Sequence, residues 1–220
     1  MERVPRFGSP SLKAGSSHAT CSREARPAIS RKVMTTVLEV RKTVQTIGKK
    51  EVMMAHPLAD QLRFARSEFR RGLEGLSEED ATRRLMPMNS ISWMIGHLAW
   101  HEQRLWLVQA QGITPVPAVD AFGYGKPAST PPLVEVWHDW QAVVEASEPY
   151  LDSLVTGQLE DFWERDGRRF PESIGTSLRR VTYHYWYHTG ESQAVRQLLG
   201  NTGLVDFVGD IGDEAPYRPE

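Results

Sequence analysis

Apolar residues recur at alternating three- and four-residue steps in four stretches of the chain, which is the period of helices with one buried face. The first opens at His56-Pro57, where proline suits a first helical turn, and carries Leu58, Leu62, Ala65, Phe69 and Leu73. The second follows Asn89 or Ser90 as its cap and runs to about Gly112, with Ile91, Met94, Leu98, Leu105 and Val108 facing inward. The third opens at Thr130-Pro131 and keeps the period through Leu133, Val136, Trp140, Val143, Ser147, Tyr150 and Leu154, with Pro149 expected to bend it. The fourth starts near Pro171 and stops before Gly200, a residue suited to a helix carboxy terminus. Ser77 is expected to cap a minor turn between the first two. The pattern predicts an all-α fold, a four-helix bundle.

Two of these stripes are interrupted by histidine. The fourth reads Ile174, Leu178, Val181, Tyr185, then Val195 and Leu199, with His188 and Ser192 where apolar residues are due. His184 lies one turn before His188 on the same face, and Glu191 one turn after it. Polar groups buried without partners cost about 1–3 kcal/mol each, so these side chains need one. Two imidazoles at i, i+4 are placed to chelate one metal ion; a hydrogen-bonded polar core layer is the bland alternative. A further ligand has to come from another helix, and the second stripe has His97 and His101 at or beside it. Glu191 fits an acceptor for an imidazole N–H or a fourth ligand. Tyr185 and its neighbours Tyr183 and Tyr187 surround the histidines, and most of the seven tryptophans belong to ordinary packing.

The connection from Gly112 to Ser129 is far longer than the few residues that join antiparallel neighbours. Extended, it out-reaches the second helix, so helices two and three can run parallel, although an ordinary up-down order also fits. Phe122, Tyr124 and Lys126 on this loop either cover a pocket or pin the crossover to the helices.

Composition narrows the chemistry. The one cysteine, Cys21, excludes an intrachain disulfide and any thiolate-rich metal site, leaving imidazole and carboxylate as donors. No apolar run reaches the roughly 18–20 residues that span a bilayer, and no membrane partner is expected. Residues 1–52 hold eleven Lys or Arg against four Glu, while the remainder holds fifteen basic and twenty-four acidic residues. The basic segment reads as a disordered extension or a misassigned start, since Met34, Met53 and Met54 offer later ones; targeting and an anion-binding arm are the competing readings. The acidic remainder gives no sign of nucleic-acid binding. The expected organisation is 1–52 as extension, 53–210 as the bundle and 211–220 as a tail, in a cytoplasmic protein with a homodimer allowed.

At Asn89-Ser-Ile-Ser-Trp-Met-Ile-Gly-His97-Leu-Ala and Tyr183-His184-Tyr-Trp-Tyr-His188-Thr-Gly-Glu191 the chain resembles the DinB/YfiT-like superfamily of metal-binding four-helix bundles. The resemblance covers about residues 56–209, through Ala194-Val-Arg-Gln-Leu-Leu-Gly200 and Val205-Asp-Phe-Val-Gly209. It implies an up-down-down-up bundle in which His97, His184 and His188 hold a divalent ion, Zn, Ni or Fe. His101 departs from the family pattern and is read as a supporting side chain, with an alternative ligand and a helix-surface residue as the other readings. The resemblance also favours a thiol-dependent S-transferase, in which the metal keeps an external low-molecular-weight thiol reactive towards a small-molecule substrate. The alternative is a bundle that binds metal or a small ligand without catalysis, in stress response. A polar, solvent-reachable pocket at the histidines would favour the enzyme, and a dry closed site the other reading.

Overall fold

The computed structural model describes residues 55–219, and these are mostly helical. The segment 1–52, with Cys21 and the alternative starts at Met34, Met53 and Met54, lies outside the described residues.

Helix α1 (Pro57–Gly72) begins at the proline, and His56 caps it by accepting from the Leu58 N–H through Nδ1 at 3.1 Å. Its stripe of Leu62, Ala65 and Phe69 is fully buried. Ser77 caps the short α2 (Glu78–Thr82), its hydroxyl accepting from the Asp80 N–H. Ser90 rather than Asn89 caps α3 (Ile91–Glu102), accepting from the Trp93 N–H at 3.1 Å.

Beyond Glu102 the second stripe departs from the expected period, because Gln103–Gln109 is π-helical. A π turn takes more residues than an α turn, so every later side chain is rotated relative to the α phase. Trp106 and Leu107 are therefore fully buried, while Val108, expected inward, is only half-buried.

Helix α4 (Leu133–Asp152) starts later than Thr130-Pro131 implied. Its first N–H is capped from a distance: the Glu78 carboxylate on α2 accepts from the Leu133 N–H at 2.9 Å. Val136, Trp140, Val143 and Ser147 are buried as the period requires, and Pro149 lies inside the helix. Helix α5 (Ile174–Leu198) is capped by Ser173, accepting from the Thr176 N–H. The main helix contacts are α1 with α5 and α3 with both α4 and α5, so α3 and α5, the two histidine helices, lie against each other.

The long connection between α3 and α4 is ordered by a 3₁₀ segment, Pro117–Phe122, packed on α3. Phe122 rests on Gly96, where a Cβ would come 2.4 Å from its ring, so only glycine admits this approach. Between α4 and α5 a hairpin pairs β1 (Glu164–Arg165) with β2 (Arg168–Arg169) through Asp166-Gly167, both at positive φ. The helical reading passed over it, although Asp-Gly is the dipeptide such turns favour.

A last turn, α6 (Ile211–Glu214), returns to α1. The Glu214 carboxylate accepts from the Ser67 hydroxyl at 3.0 Å, and Arg218 pairs with Asp60. Residues 211–219, read as a tail, thus touch the first helix. Among the described residues no helix is long and apolar enough to cross a membrane.

Candidate metal centre

The interrupted stripes of α3 and α5 meet. His97, His184 and His188 each offer a ring nitrogen, and the three lie within 4.8 Å of one another, which is a group that can hold a metal ion. Nitrogens bound at about 2.0–2.1 Å to one ion in tetrahedral geometry sit roughly 3.4 Å apart, and Nε2 of His184 and of His188, at 3.0 Å, are already within that separation. The donor set, three neutral imidazoles without sulfur, suits a borderline divalent cation.

Each ring is oriented by its second nitrogen, and each by a different device. His97 Nδ1 lies 2.7 Å from the Phe122 carbonyl, which only accepts, so that nitrogen carries the proton and Nε2 has a free lone pair. His188 Nδ1 donates in the same way to Glu191 at 2.7 Å, one helical turn on. His184 Nδ1 meets His101 Nδ1 at 2.8 Å, and its Nε2 lies 3.0 Å from His188 Nε2. Two tautomers are open to His184, and only the first puts a proton in both contacts. His184 can donate through Nε2 to His188 and accept from His101, or donate through Nδ1 to His101. The second exposes all three Nε2 lone pairs to a common point, with His101 as the acceptor that sustains it. Stacking adds to the order: Trp93 and Trp100, at i−4 and i+3, lie on the two faces of His97 at 4.6 Å and 5.4 Å.

Burial favours the neutral form of His97, His101 and His184. Burial, then the neighbouring His188, His101 and His97, pushes the His184 pKa down to about 2. Burial chiefly, with His97 and Arg104 adding, holds His101 down at about 3. Burial also lowers His97, partly offset by its bond to the Phe122 carbonyl. Neutral imidazole is the form that ligates.

The site is not sealed. A cavity of about 800 Å³ reaches His97, His101 and His184. Its aromatic side includes Trp100, Phe170 and Tyr183, and its charged side Arg104, Glu172, Arg179 and Arg180. Tyr124, expected on this pocket, lines it while remaining 90% exposed. Phe122 lies behind His97 instead and acts through its backbone carbonyl. Lys126 is exposed and does not line the cavity.

Tyr185, expected at the pocket, faces the other way. It is fully buried, donates to Glu102 at 2.5 Å and accepts from Trp140 Nε1 at 2.7 Å. Glu102 also takes both Nε (2.9 Å) and Nη2 of Arg66, whose Nη1 reaches Glu148 at 2.5 Å. Burial raises Tyr185 well above the usual phenol range, and the charged Glu102 raises it further. Successive residues on a helix point about 100° apart, so His184 and Tyr185, like His101 and Glu102, serve different surroundings.

The sequence reading missed the Phe122 carbonyl, the buried Arg66–Glu102 pair and the pocket residues Phe170 and Glu172. Only Arg104 had a local signal, lying three residues after His101 and seven after His97 on one face. No curated protein is matched by the chain. A sequence model of the DinB superfamily matches residues 61–192, from α1 to the turn of α5 beyond His188 and Glu191. With more than half of its length matched, and with the converging histidines inside that span, the protein belongs to the DinB superfamily.

Proposed function

We propose that the protein is a metal-dependent enzyme in which His97, His184 and His188 hold a divalent ion, Zn, Ni or Fe, and an external low-molecular-weight thiol attacks a small electrophilic substrate. The observation that carries this reading is the opening of the histidine cluster onto a cavity of about 800 Å³, where a structural site would be closed by protein ligands. An ion held by His97, His184 and His188 would favour the ionised form of a thiol or water bound to it, lowering its pKa towards neutrality. The chain's own residues do the rest. Glu191, His101 and the Phe122 carbonyl hold the three rings in their ligating tautomers, and Trp93 and Trp100 fix the plane of His97. The aromatic wall excludes water from one side of the reacting groups. Cys21 lies in the amino-terminal extension, outside the span matched by the superfamily, so the reading takes the thiol from outside the protein.

The same reading takes α1, α3, α4 and α5 as an up-down-down-up four-helix bundle with 112–130 as its crossover. Contacts of α3 with α4 and α5, and of α1 with α5, support that arrangement. We place the enzyme in the cytoplasm, with a homodimer as its assembly.

Metal analysis of protein purified without an affinity tag, followed by thiol conjugation to a panel of electrophiles, tests the proposal. About one ion per chain and a conjugation rate that vanishes in His188→Ala are expected. Full metal with no conjugation of any electrophile would leave a binding protein in place of the enzyme.

A further inference from the structure

Resting on that reading for the identity of the pocket, we propose that the cavity selects a carboxylate-bearing ligand, held by Arg104 and Arg179 while its reactive end faces the histidines. The charged lining is three guanidiniums against one carboxylate. Glu172 is fully engaged by Arg180, accepting from Nε at 2.7 Å and from Nη2. Arg104 and Arg179 form no ion pair within 4.0 Å of a carboxylate among the described residues, Arg104 acting on Glu172 only from farther off, and both are exposed where they line the cavity. Arg104 is instead set by aromatic contacts, its guanidinium carbon 5.6 Å from the Trp100 ring and 5.8 Å from Phe170. Such contacts orient a guanidinium while leaving its N–H donors free for a planar bidentate acceptor.

The placement also gives a length. Arg104, in the π-helical segment that follows α3, lies seven residues beyond His97, and on α5, Arg179 lies five before His184. At 1.5 Å per residue these are roughly 8–10 Å along the helices. A ligand of that reach, with an anionic group at one end and its reactive atom at the other, spans the cavity. Both reactants can supply this chemistry, since the carboxylate belongs either to the thiol or to the electrophile.

The test is calorimetric titration of the full-length protein with two matched pairs. Mercaptosuccinate is set against thioglycerol for the thiol, and maleate against maleamide for the electrophile. The carboxylated member of at least one pair should bind about tenfold more tightly, and the pair that shows the preference identifies its source. Arg104→Gln and Arg179→Gln should each remove most of that preference while metal content stays unchanged, since neither residue is a ligand. Equal binding within both pairs overturns the proposal, and so does a preference that survives both substitutions. Metal content is read separately: no ion with an intact carboxylate preference would defeat the proposed enzyme and leave this inference standing.

Discussion

Two polar layers lie side by side in the same core, diverging from the adjacent pairs His101–Glu102 on α3 and His184–Tyr185 on α5, with α1 and α4 adding Arg66 and Trp140 to the second. One is His97, His101, His184 and His188; the other is Arg66, Glu102, Tyr185 and Trp140. The second is complete. Its donors and acceptors differ in kind, and Glu102, with no exposure at all, accepts from Arg66 and Tyr185 together. The first consists of like groups facing one another, and in the ligating tautomers Nε2 of His184 and Nε2 of His188, 3.0 Å apart, present lone pairs to each other with no proton between them. A polar layer that satisfies itself is structural, whereas imidazoles converging on one another form a group that can hold a metal ion.

The largest expected effect breaks the complete layer. Glu102→Ala leaves Arg66 with only the half-buried Glu148, and should cost about 3–5 kcal/mol in denaturant unfolding. Next comes the open layer, where His97→Ala, His184→Ala and His188→Ala should each abolish stoichiometric metal, read by elemental analysis, with a much smaller change in the stability of the metal-stripped protein. Full occupancy in any of the three would break the assignment.

A smaller loss is expected at the orienting groups. Glu191→Gln and His101→Ala should keep the ion at saturation but weaken its affinity about 10–100-fold in chelator competition. Loss of the ion from His101→Ala alone would instead make His101 a ligand.

The mildest effect is that of pH on the metal-stripped protein. His101 and His184 are held at about 3 and about 2 when folded, against an ordinary value near 6.5. Below 6.5 the unfolded chain therefore binds protons that the folded one refuses, so stability falls as pH falls. Between pH 7.5 and 6 each histidine should contribute about 1 kcal/mol or less of that loss, measured by unfolding at fixed ionic strength. Stability rising on acidification would show that the rings are not neutral.

Much of this comparison was legible beforehand. Caps and periodicity are local, so Ser77, Ser90 and Pro57 marked their helices, and the polar breaks at His97, His184 and His188 stood out against an apolar stripe. Other features were not readable. Tyr185 had the right spacing for either layer, and its choice of Glu102 depends on how α5 is rotated against α3. Val108 yielded its inward place to Trp106 and Leu107 once the π segment shifted the helical phase.

By itself the sequence determined which segments are helical and which of their faces carry unpaired imidazole, because hydrogen bonding within a helix and side-chain period are decided over a few residues. Tertiary structure alone decided that the Phe122 carbonyl would turn His97, that Arg66 would neutralise Glu102 thirty-six residues away, and that three rings would converge beside an open cavity. Those outcomes need segments distant in the chain to meet at hydrogen-bond range, and only the packing of whole helices supplies that distance.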